Sequence, residues 1–252
     1  LKQKLDSAIE AHSGIINNPG RKEIIQEVVD NKEAMVAANG ALATWTPVES
    51  TGRSPKDTVI VKRPESEESI DWTSPNNIPI SEETFDMLFE DALNMMAEKG
   101  KMYVTDRVIG ADSAYSLPVK TVSDHALTTL FTDNMFRPIP EDIAKSVFAR
   151  GPYYLLSLPY SKLKGEKYEG RLRKMPDGST SDMVVAMDMD RKIGVIVGSA
   201  YMGSVKKMLF TVMNYLLPFK NVLPLHCSAN EGSNGDSALL LGLSGTGKTT
   251  LS

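Results

Sequence analysis

The chain of 252 residues is 41% hydrophobic and 24% charged, and its formal net charge at pH 7 is −4. This composition is ordinary for a globular protein, and the acidic balance argues against a nucleic-acid partner, which needs a clustered basic surface. No apolar run is as long as a membrane span, and the single cysteine, Cys227, cannot form an internal disulfide. We therefore expect a cytoplasmic protein that has no membrane partner and acts on small molecules.

The first 63 residues are predicted to form one or two amphipathic helices within 1–35, followed by two short strands. Apolar residues recur at helical spacing within 21–33, and β-type runs follow at 41–45 and 58–62. Residues 51–57 contain Gly, Ser and Pro and therefore predict a turn. Arg53 in this turn has a planar guanidinium suited to a carboxylate or a phosphate, although a solvated surface loop is the simpler interpretation of the segment alone.

The next segment is predicted to hold a long surface loop and a helix. Residues 64–80 are acidic and rich in Ser, Pro and Asn, and we expect Trp72 to pack this loop down. Ser81 is a candidate N-cap for the helix, and Gly100 marks its end. The helix has one apolar face, formed by Phe85, Leu88, Phe89, Ala92 and Met96.

Strands and helices continue to alternate through the middle of the chain. Strands are predicted at 102–109 and 117–122, and helices at 123–134 and 140–149. His125 has no partner at the spacing of metal ligands, so we expect it to have a structural or surface role.

The elements that follow are predicted, in chain order, to be a strand at 153–158, a charged excursion or long hairpin at 161–181, a β-hairpin of 183–189 with 192–198, a helix at 205–217 and a strand at 222–225. The sequence has no internal repeat and no low-complexity segment. This alternation indicates an α/β fold with a mixed α+β N-terminal domain.

The strongest motif is a phosphate-loop pattern in residues 242–252. The pattern G-x-x-x-x-G-K-[ST] runs from Gly242 to Thr249, directly after an apolar run at 237–241 that predicts a buried strand. Glycines at 242, 245 and 247 would let backbone N–H groups point inward at phosphates. Lys248 would then reach the β- and γ-phosphate oxygens, and the Thr249 hydroxyl could bind Mg²⁺.

Two further groups of chemically suitable residues precede this loop. Lys206 and Lys207 begin a predicted helix, where cations oppose the helix dipole, and a nearby anion or metal-bound phosphate would remove that cost. Two lysines that simply face water are the simpler alternative. His226, at the end of a predicted strand, could offer an imidazole nitrogen to a divalent cation or could instead be a hydrogen-bonded core residue.

Five motifs together resemble the ATP-dependent phosphoenolpyruvate carboxykinases, in the order found in that family. They are TGRSPKD at 51–57, Y-x-G-x-x-K-K from Tyr201 to Lys207, MNYLLP at 213–218, HCSAN at 226–230 and GLSGTGKTTLS at 242–252. The resemblance implies a carboxy-lyase of gluconeogenesis that converts oxaloacetate and ATP to phosphoenolpyruvate, CO₂ and ADP. It also implies Mg²⁺ on the nucleotide and a second ion, usually Mn²⁺.

The resemblance implies a role for each candidate site residue. Arg53 would bind the substrate carboxylate, with Tyr201 beside the substrate or CO₂ and Lys206 near the same pocket. Lys207 would contact substrate, nucleotide and Mn²⁺, and His226 would contact nucleotide and Mn²⁺. The implied catalytic residues are Arg53, Lys206, Lys207 and Lys248, and the implied metal ligands are Lys207, His226 and Thr249. The remaining implied nucleotide contacts are Gly242, Leu243, Ser244, Gly245, Thr246, Gly247, Lys248, Thr249 and Thr250.

The same reasoning predicts a substrate-side domain at 1–220 and the start of a P-loop nucleotide-binding domain at 221–252. Because the chain begins at Leu1 and ends one turn into a predicted helix, we interpret it as part of a longer protein and expect no turnover from these residues alone. Two alternatives stay open, namely another P-loop small-molecule kinase and a non-catalytic nucleotide-binding fragment.

Overall fold

The computed structural model describes residues 1–242 and 245–252, which form two compact units, Leu1–Leu209 and Phe210–Ser252. The boundary between the units falls inside a helix. The domain boundary expected near residue 220 stays a prediction. No helix in the described part of the chain is both long and apolar enough to cross a membrane.

The described residues form helices and strands in alternation. The helices are α1 (Lys2–Ala11), α2 (Arg21–Asp30), α3 (Glu82–Ala97), α4 (Ala126–Met135), α5 (Gly203–Leu216) and α6 (Lys248–Leu251). The strands are β1 (Ile15–Asn17), β2 (Met35–Val36), β3 (Leu42–Ala43), β4 (Thr58–Val61), β5 (Ile78–Ile80), β6 (Met102–Ile109), β7 (Leu117–Ser123), β8 (Tyr153–Leu158), β9 (Val184–Asp188), β10 (Ile193–Val197), β11 (Cys227–Glu231) and β12 (Ser237–Leu241).

Within the described residues, the first unit is built on a mixed sheet of eight strands in the order β1-β6-β7-β8-β10-β9-β4-β5. The β6–β7 and β10–β9 pairs are antiparallel, and the other neighbouring pairs are parallel. Every residue of β8, β9 and β10 is buried, as expected for strands covered on both faces. These features confirm the predicted α/β class.

Helices cover both faces of this sheet. Met102 and Val104 of β6 belong to the larger core, which also contains the apolar face of α3, whereas Tyr103 between them belongs to a second core with residues of α2 and α4. Since successive side chains of a strand point to opposite faces, α3 lies on one face and the α2–α4 pair on the other. The five predicted core residues of α3 are at most 1% exposed, and burial of a large one stabilises the fold by about 1.5–3 kcal/mol.

Several helix boundaries were predicted correctly, but two were wrong. Ser81 caps α3, as predicted, because its hydroxyl accepts a hydrogen bond from the Thr84 backbone N–H at 3.1 Å. Ser123, in contrast, ends β7, and His125 caps α4 by accepting from the Thr128 N–H through Nδ1 at 3.3 Å. Ser123 stays extended because its backbone is paired in the sheet with β6 and β8.

The helix predicted at 140–149 is reduced to a short 3₁₀ turn, Ile143–Lys145. The residues after it use their hydrogen bonds elsewhere. The Val147 N–H donates to the Ala114 carbonyl at 2.9 Å, and the Ser146 hydroxyl donates to the Ser116 carbonyl at 2.6 Å. Tertiary hydrogen bonds therefore replace the helical ones.

The long loop predicted at 64–80 ends in a strand that the sequence did not suggest. β5 pairs in parallel with β4 and has only three residues, too few to give a clear alternation in a polar segment. Trp72 holds the loop as expected, because its indole N–H donates to the Glu67 carbonyl at 2.9 Å.

The described part of the second unit contains a two-stranded sheet of β11 and β12. β12 was predicted as a buried strand, but Leu239 and Leu241 are 53% and 62% exposed because only β11 pairs with it here. The strand predicted at 222–225 is also wrong, since these residues have no regular structure. His226 therefore precedes a strand and does not follow one.

Candidate functional site

The predicted phosphate loop lies between β12 and α6. The backbone angles or close contacts of its glycines disfavour any larger residue. Gly245 and Gly247 have φ angles of +80° and +91°, in the left-handed region that other residues rarely adopt. A Cβ atom on Gly242 would overlap the Thr246 hydroxyl. Leu243 and Ser244, which were predicted to bind nucleotide, lie outside the described residues.

Lys248 closes the phosphate loop on itself. Its Nζ donates a hydrogen bond to the Gly242 carbonyl at 2.8 Å, which joins the first residue of the pattern to the lysine six positions later. α6 begins at this lysine, and Thr249 and Thr250 in it are exposed. The loop thus presents an ammonium group and two accessible hydroxyls in one short segment.

Residues 51–57, which we name the arginine loop, expose Arg53 and bury the last residue, Asp57. The Asp57 side chain is only 1% exposed, and its Oδ2 accepts from the Ser54 hydroxyl at 2.5 Å and from Arg173 Nη1 at 2.8 Å. The Thr58 hydroxyl also donates to the Ser54 carbonyl at 2.9 Å. Ser54, the neighbour of Arg53, is therefore held through both its side chain and its backbone.

Tyr201 lies in the turn between β10 and α5, over the first turn of that helix. A Cβ atom on Gly203 would lie 2.5 Å from the Tyr201 ring, so the ring can take this position only because residue 203 is glycine. The Ser204 N–H donates to the Tyr201 carbonyl at 2.8 Å, and the buried Ser204 and Ser199 hydroxyls are 2.7 Å apart. A backbone hydrogen bond and a contact between two buried hydroxyls thus stabilise this turn.

Lys206 and Lys207 lie near the start of α5, which begins at Gly203. Lys206 is exposed and Lys207 is half-buried. The helix start lies close to β10, because a side chain on Gly194 of that strand would overlap the Met208 sulfur. The two amines are therefore carried on an element packed directly on the central sheet.

The arginine loop and the Tyr201 turn are neighbours within the first unit. Val185 of β9 pairs with Thr58 at the start of β4 and with Ile196 near the end of β10. The loop that carries Arg53 therefore enters the sheet at the same end of the strands at which the chain leaves β10 for the Tyr201 turn. A hydrogen bond joins the residues that adjoin them, from the Ala200 N–H, next to Tyr201, to the buried hydroxyl of Ser50, which directly precedes the arginine loop, at 3.3 Å.

The candidate metal ligands are divided between the two units. Lys207 lies in the first unit, whereas His226 and Thr249 lie in the second, where the exposed His226 ring is 5.5 Å from the Phe210 ring between centroids. Among residues 1–242 and 245–252, no group of three or more His, Cys, Asp or Glu side chains is placed to hold a metal. An amine, an imidazole and a hydroxyl are nitrogen and oxygen donors that fit divalent ions, provided that the amine is deprotonated.

Sequence reasoning missed three residues that shape this region, namely Ser50, Asp57 and Arg173. Asp57 belongs to a quoted motif but was given no role, and its burial has no local signal in a polar loop. Arg173 lies 116 residues away from Asp57 in a charged excursion, where nothing in the sequence distinguishes it from solvated neighbours. Only the fold brings these two side chains together.

Comparison with known proteins identifies relatives over nearly the whole chain. The family model for phosphoenolpyruvate carboxykinase matches residues 13–252. Proteins named phosphoenolpyruvate carboxykinase (ATP) are similar to this chain, at 39% identity over 248 residues in Brucella anthropi, 39% over 232 residues in Geobacillus kaustophilus and 38% over 252 residues in Alkaliphilus oremlandii.

The similarity extends along this chain but not along the relatives. The three matches cover 98%, 91% and 100% of the chain and 43%, 41% and 45% of the respective relatives. The chain therefore spans less than half the length of the curated relatives that it matches.

Proposed function

The chain belongs to the phosphoenolpyruvate carboxykinase family, and from this membership we propose that the protein converts oxaloacetate and ATP to phosphoenolpyruvate, CO₂ and ADP. One observation carries the proposal. The family match over residues 13–252 includes every candidate site residue, from Arg53 to Thr250. Loss of CO₂ leaves an enolate, whose oxygen then attacks the γ-phosphoryl group of ATP.

In this proposal, the first unit binds the dicarboxylic substrate. Arg53 pairs its guanidinium with a substrate carboxylate, for which its fork of N–H donors is suited. Tyr201 lies beside the substrate or the departing CO₂. The hydrogen bond between Ala200 and Ser50 supports a common site, because it joins the residues that adjoin the segments that carry these two side chains.

Lys206, as an ammonium group, would stabilise negative charge as it develops on the enolate oxygen, whereas Lys207, as a neutral amine ligand of Mn²⁺, would act through the ion that it holds. Fixed positive groups lower the energy of a transition state when they are held in place before the charge appears. The position of both lysines on α5, which packs on the central sheet, supports this role.

The second unit would bind the triphosphate through the phosphate loop. Lys248 would exchange its contact with the Gly242 carbonyl for phosphate oxygens and so neutralise charge during transfer. Lys207 and His226 would hold Mn²⁺, and Thr249 would hold Mg²⁺. When bound, such ions supply positive charge to the phosphates and to the enolate oxygen.

The proposal is tested by assaying the protein at its full natural length with ATP, Mg²⁺ and Mn²⁺. Release of ADP and CO₂ that depends on oxaloacetate is the expected result. Release of ADP that is indifferent to oxaloacetate would indicate another P-loop kinase. Nucleotide binding with no turnover would indicate a non-catalytic protein, and either result would overturn the proposal.

The acidic charge and small-molecule substrates support a cytoplasmic location without nucleic-acid partners.

A further inference from the structure

Asp57 is an unusual residue for the end of an exposed loop. Its side chain is buried, and one oxygen, Oδ2, accepts both of its hydrogen bonds, from Ser54 and from Arg173. The other oxygen, Oδ1, has no hydrogen-bond partner among the residues that the structure describes. A buried carboxylate with few donors depends strongly on its cation, so Arg173 is required to hold Asp57 in place.

Arg173 is itself held by a closed backbone segment within the charged excursion at 161–181. Its carbonyl accepts from the Ser181 N–H at 2.9 Å, and Lys174 pairs with Thr180 in an isolated antiparallel bridge. A Cβ atom on Gly165 would lie 2.6 Å from the Thr180 carbonyl oxygen, so the backbone at residue 165 and the backbone at residue 180 approach closely here. The guanidinium therefore extends from a fixed base.

We propose that Asp57 and Arg173 are positioning residues for Arg53, and that the excursion at 161–181 thereby sets the affinity of the enzyme for the substrate carboxylate. This inference rests on the proposed function, in which Arg53 binds that carboxylate. The buried Asp57, held by the partly exposed Arg173, fixes Ser54, and Ser54 sets the direction in which the adjacent Arg53 leaves the backbone. A guanidinium that is aligned before binding loses less conformational freedom when the substrate arrives.

A purely stabilising role explains the pair less well. An ion pair with a buried partner is often no better for stability than apolar residues of similar volume, whereas in some proteins such a pair selects one arrangement of the elements that it joins. The joined elements here are the arginine loop and a segment 116 residues away. Both oxygens of Ser54 are also engaged, by Asp57 and by Thr58, which is the arrangement that an oriented loop requires.

The first experiment uses the 252-residue chain and does not depend on the function. Trypsin cleaves after exposed, mobile arginines, so cleavage of the Arg53–Ser54 bond under native conditions measures how firmly the loop is held. We expect Asp57→Asn and Arg173→Met each to accelerate this cleavage about tenfold, while cleavage outside residues 51–57 and 161–181 is unchanged. Acceleration at all sites would indicate global destabilisation and would overturn the inference, as would no acceleration at Arg53.

The matched control is Lys162→Met. Lys162 forms a 2.9 Å ion pair with Asp182 in the same excursion, but their side chains are 70% and 48% exposed and the pair does not touch the arginine loop. Loss of an exposed pair has little effect, so we expect wild-type cleavage at Arg53. Because Asp57→Asn and Arg173→Met remove opposite charges, one can report if the other fails to fold.

The second experiment measures kinetics at full natural length. We expect Asp57→Asn and Arg173→Met to raise KM for oxaloacetate about tenfold with KM for ATP unchanged, and Arg173→Lys to recover part of the loss. Equal changes in both KM values, or none, would overturn the inference. If the wild-type protein has no carboxykinase activity, the proposed function fails, while the cleavage experiment still decides whether the pair holds the loop.

Discussion

The arginine loop and the phosphate loop are held in place by different means. The arginine loop depends on a buried carboxylate and on Arg173, which is distant in sequence. In the phosphate loop, left-handed glycines shape the backbone, and the bond from Lys248 to the Gly242 carbonyl joins two residues of the motif itself. The residues that fix the conformation of a motif can therefore lie inside the motif or far from it in sequence. The sequence alone does not tell which is the case.

The strands that carry the two loops differ in the same direction. In β4, which directly follows the arginine loop, Val59, Ile60 and Val61 are buried, whereas β12 before the phosphate loop exposes Leu239 and Leu241. The first unit thus has a framework that can transmit a distant substitution to its loop. In the described part of the second unit, β12 pairs with β11 and leaves these leucines exposed.

The largest expected effect is on the phosphate loop. Lys248→Met at full natural length should lower kcat by about a thousandfold or more, because the triphosphate loses its main fixed positive charge during transfer. Steady-state kinetics with oxaloacetate and ATP measure this. Lys220→Met, an exposed lysine of the same unit, is the control and should retain normal kcat. Wild-type kcat in Lys248→Met would show that the loop has no part in catalysis.

A matched pair of leucine substitutions compares the buried core of the first unit with the exposed strand β12. Leu88→Ala in α3 removes a fully buried side chain and should lower the free energy of unfolding by about 2–5 kcal/mol. Leu239→Ala in β12 removes a half-exposed one and should cost less than about 1 kcal/mol. Urea unfolding of the 252-residue chain measures both values. Equal losses would contradict the contrast in burial.

The contact between Gly203 and Tyr201 gives a smaller, site-specific effect. Gly203→Ala should displace the Tyr201 ring from the start of α5 and reduce kcat/KM for oxaloacetate about tenfold at full natural length. Gly100→Ala is the matched control, since a Cβ atom there has open space around it. An unchanged kcat/KM in Gly203→Ala would mean that the ring position does not affect the reaction.

The smallest expected effect is a pH dependence of stability from His125. Burial lowers the pKa of His125 from its ordinary 6.5 to about 4, so Nδ1 can accept the capping bond from Thr128. As the pH falls below 6.5, the unfolded chain takes up the proton first, and stability falls until about pH 4. The raised pKa of buried Glu33, 3.3 Å from His125 Nε2, opposes this change, because the folded state binds that proton more readily.

With the opposing effect of Glu33 included, the net loss of stability between pH 7 and pH 5 should be about 1 kcal/mol. His125→Asn is the matched variant, because asparagine is a good N-cap residue that does not titrate. The free energy of unfolding, measured for both proteins at the two pH values, should therefore fall less in His125→Asn. A larger fall in the variant would reverse the sign of the proposed linkage.

Elements with strong local signals were predicted well from the sequence. Strand β8 was predicted at the residues where it occurs, and the cap and apolar face of α3 are as expected, because periodicity and capping depend on neighbours in sequence. The hairpin of β9 and β10 was confirmed for the same reason. The phosphate-loop glycines also have the strained or crowded positions that the motif requires.

Features that depend on distant packing were not predicted. The parallel pairing of β4 with β9 and the three-residue strand β5 arise from tertiary arrangement and leave little trace in local pattern. The apolar run of β12 predicted burial that the described residues do not provide. The pairing of Asp57 with Arg173 is the clearest case, since its two halves lie in segments that each resemble ordinary surface loops.

The most direct test is ³¹P NMR of the reaction at full natural length, with ATP, oxaloacetate and divalent ions. Transfer of the γ-phosphoryl group to the enolate predicts that phosphoenolpyruvate and ADP appear in equal amounts. Formation of ADP with inorganic phosphate and no phosphoenolpyruvate would contradict the proposed reaction, as would transfer of the phosphoryl group to a different acceptor.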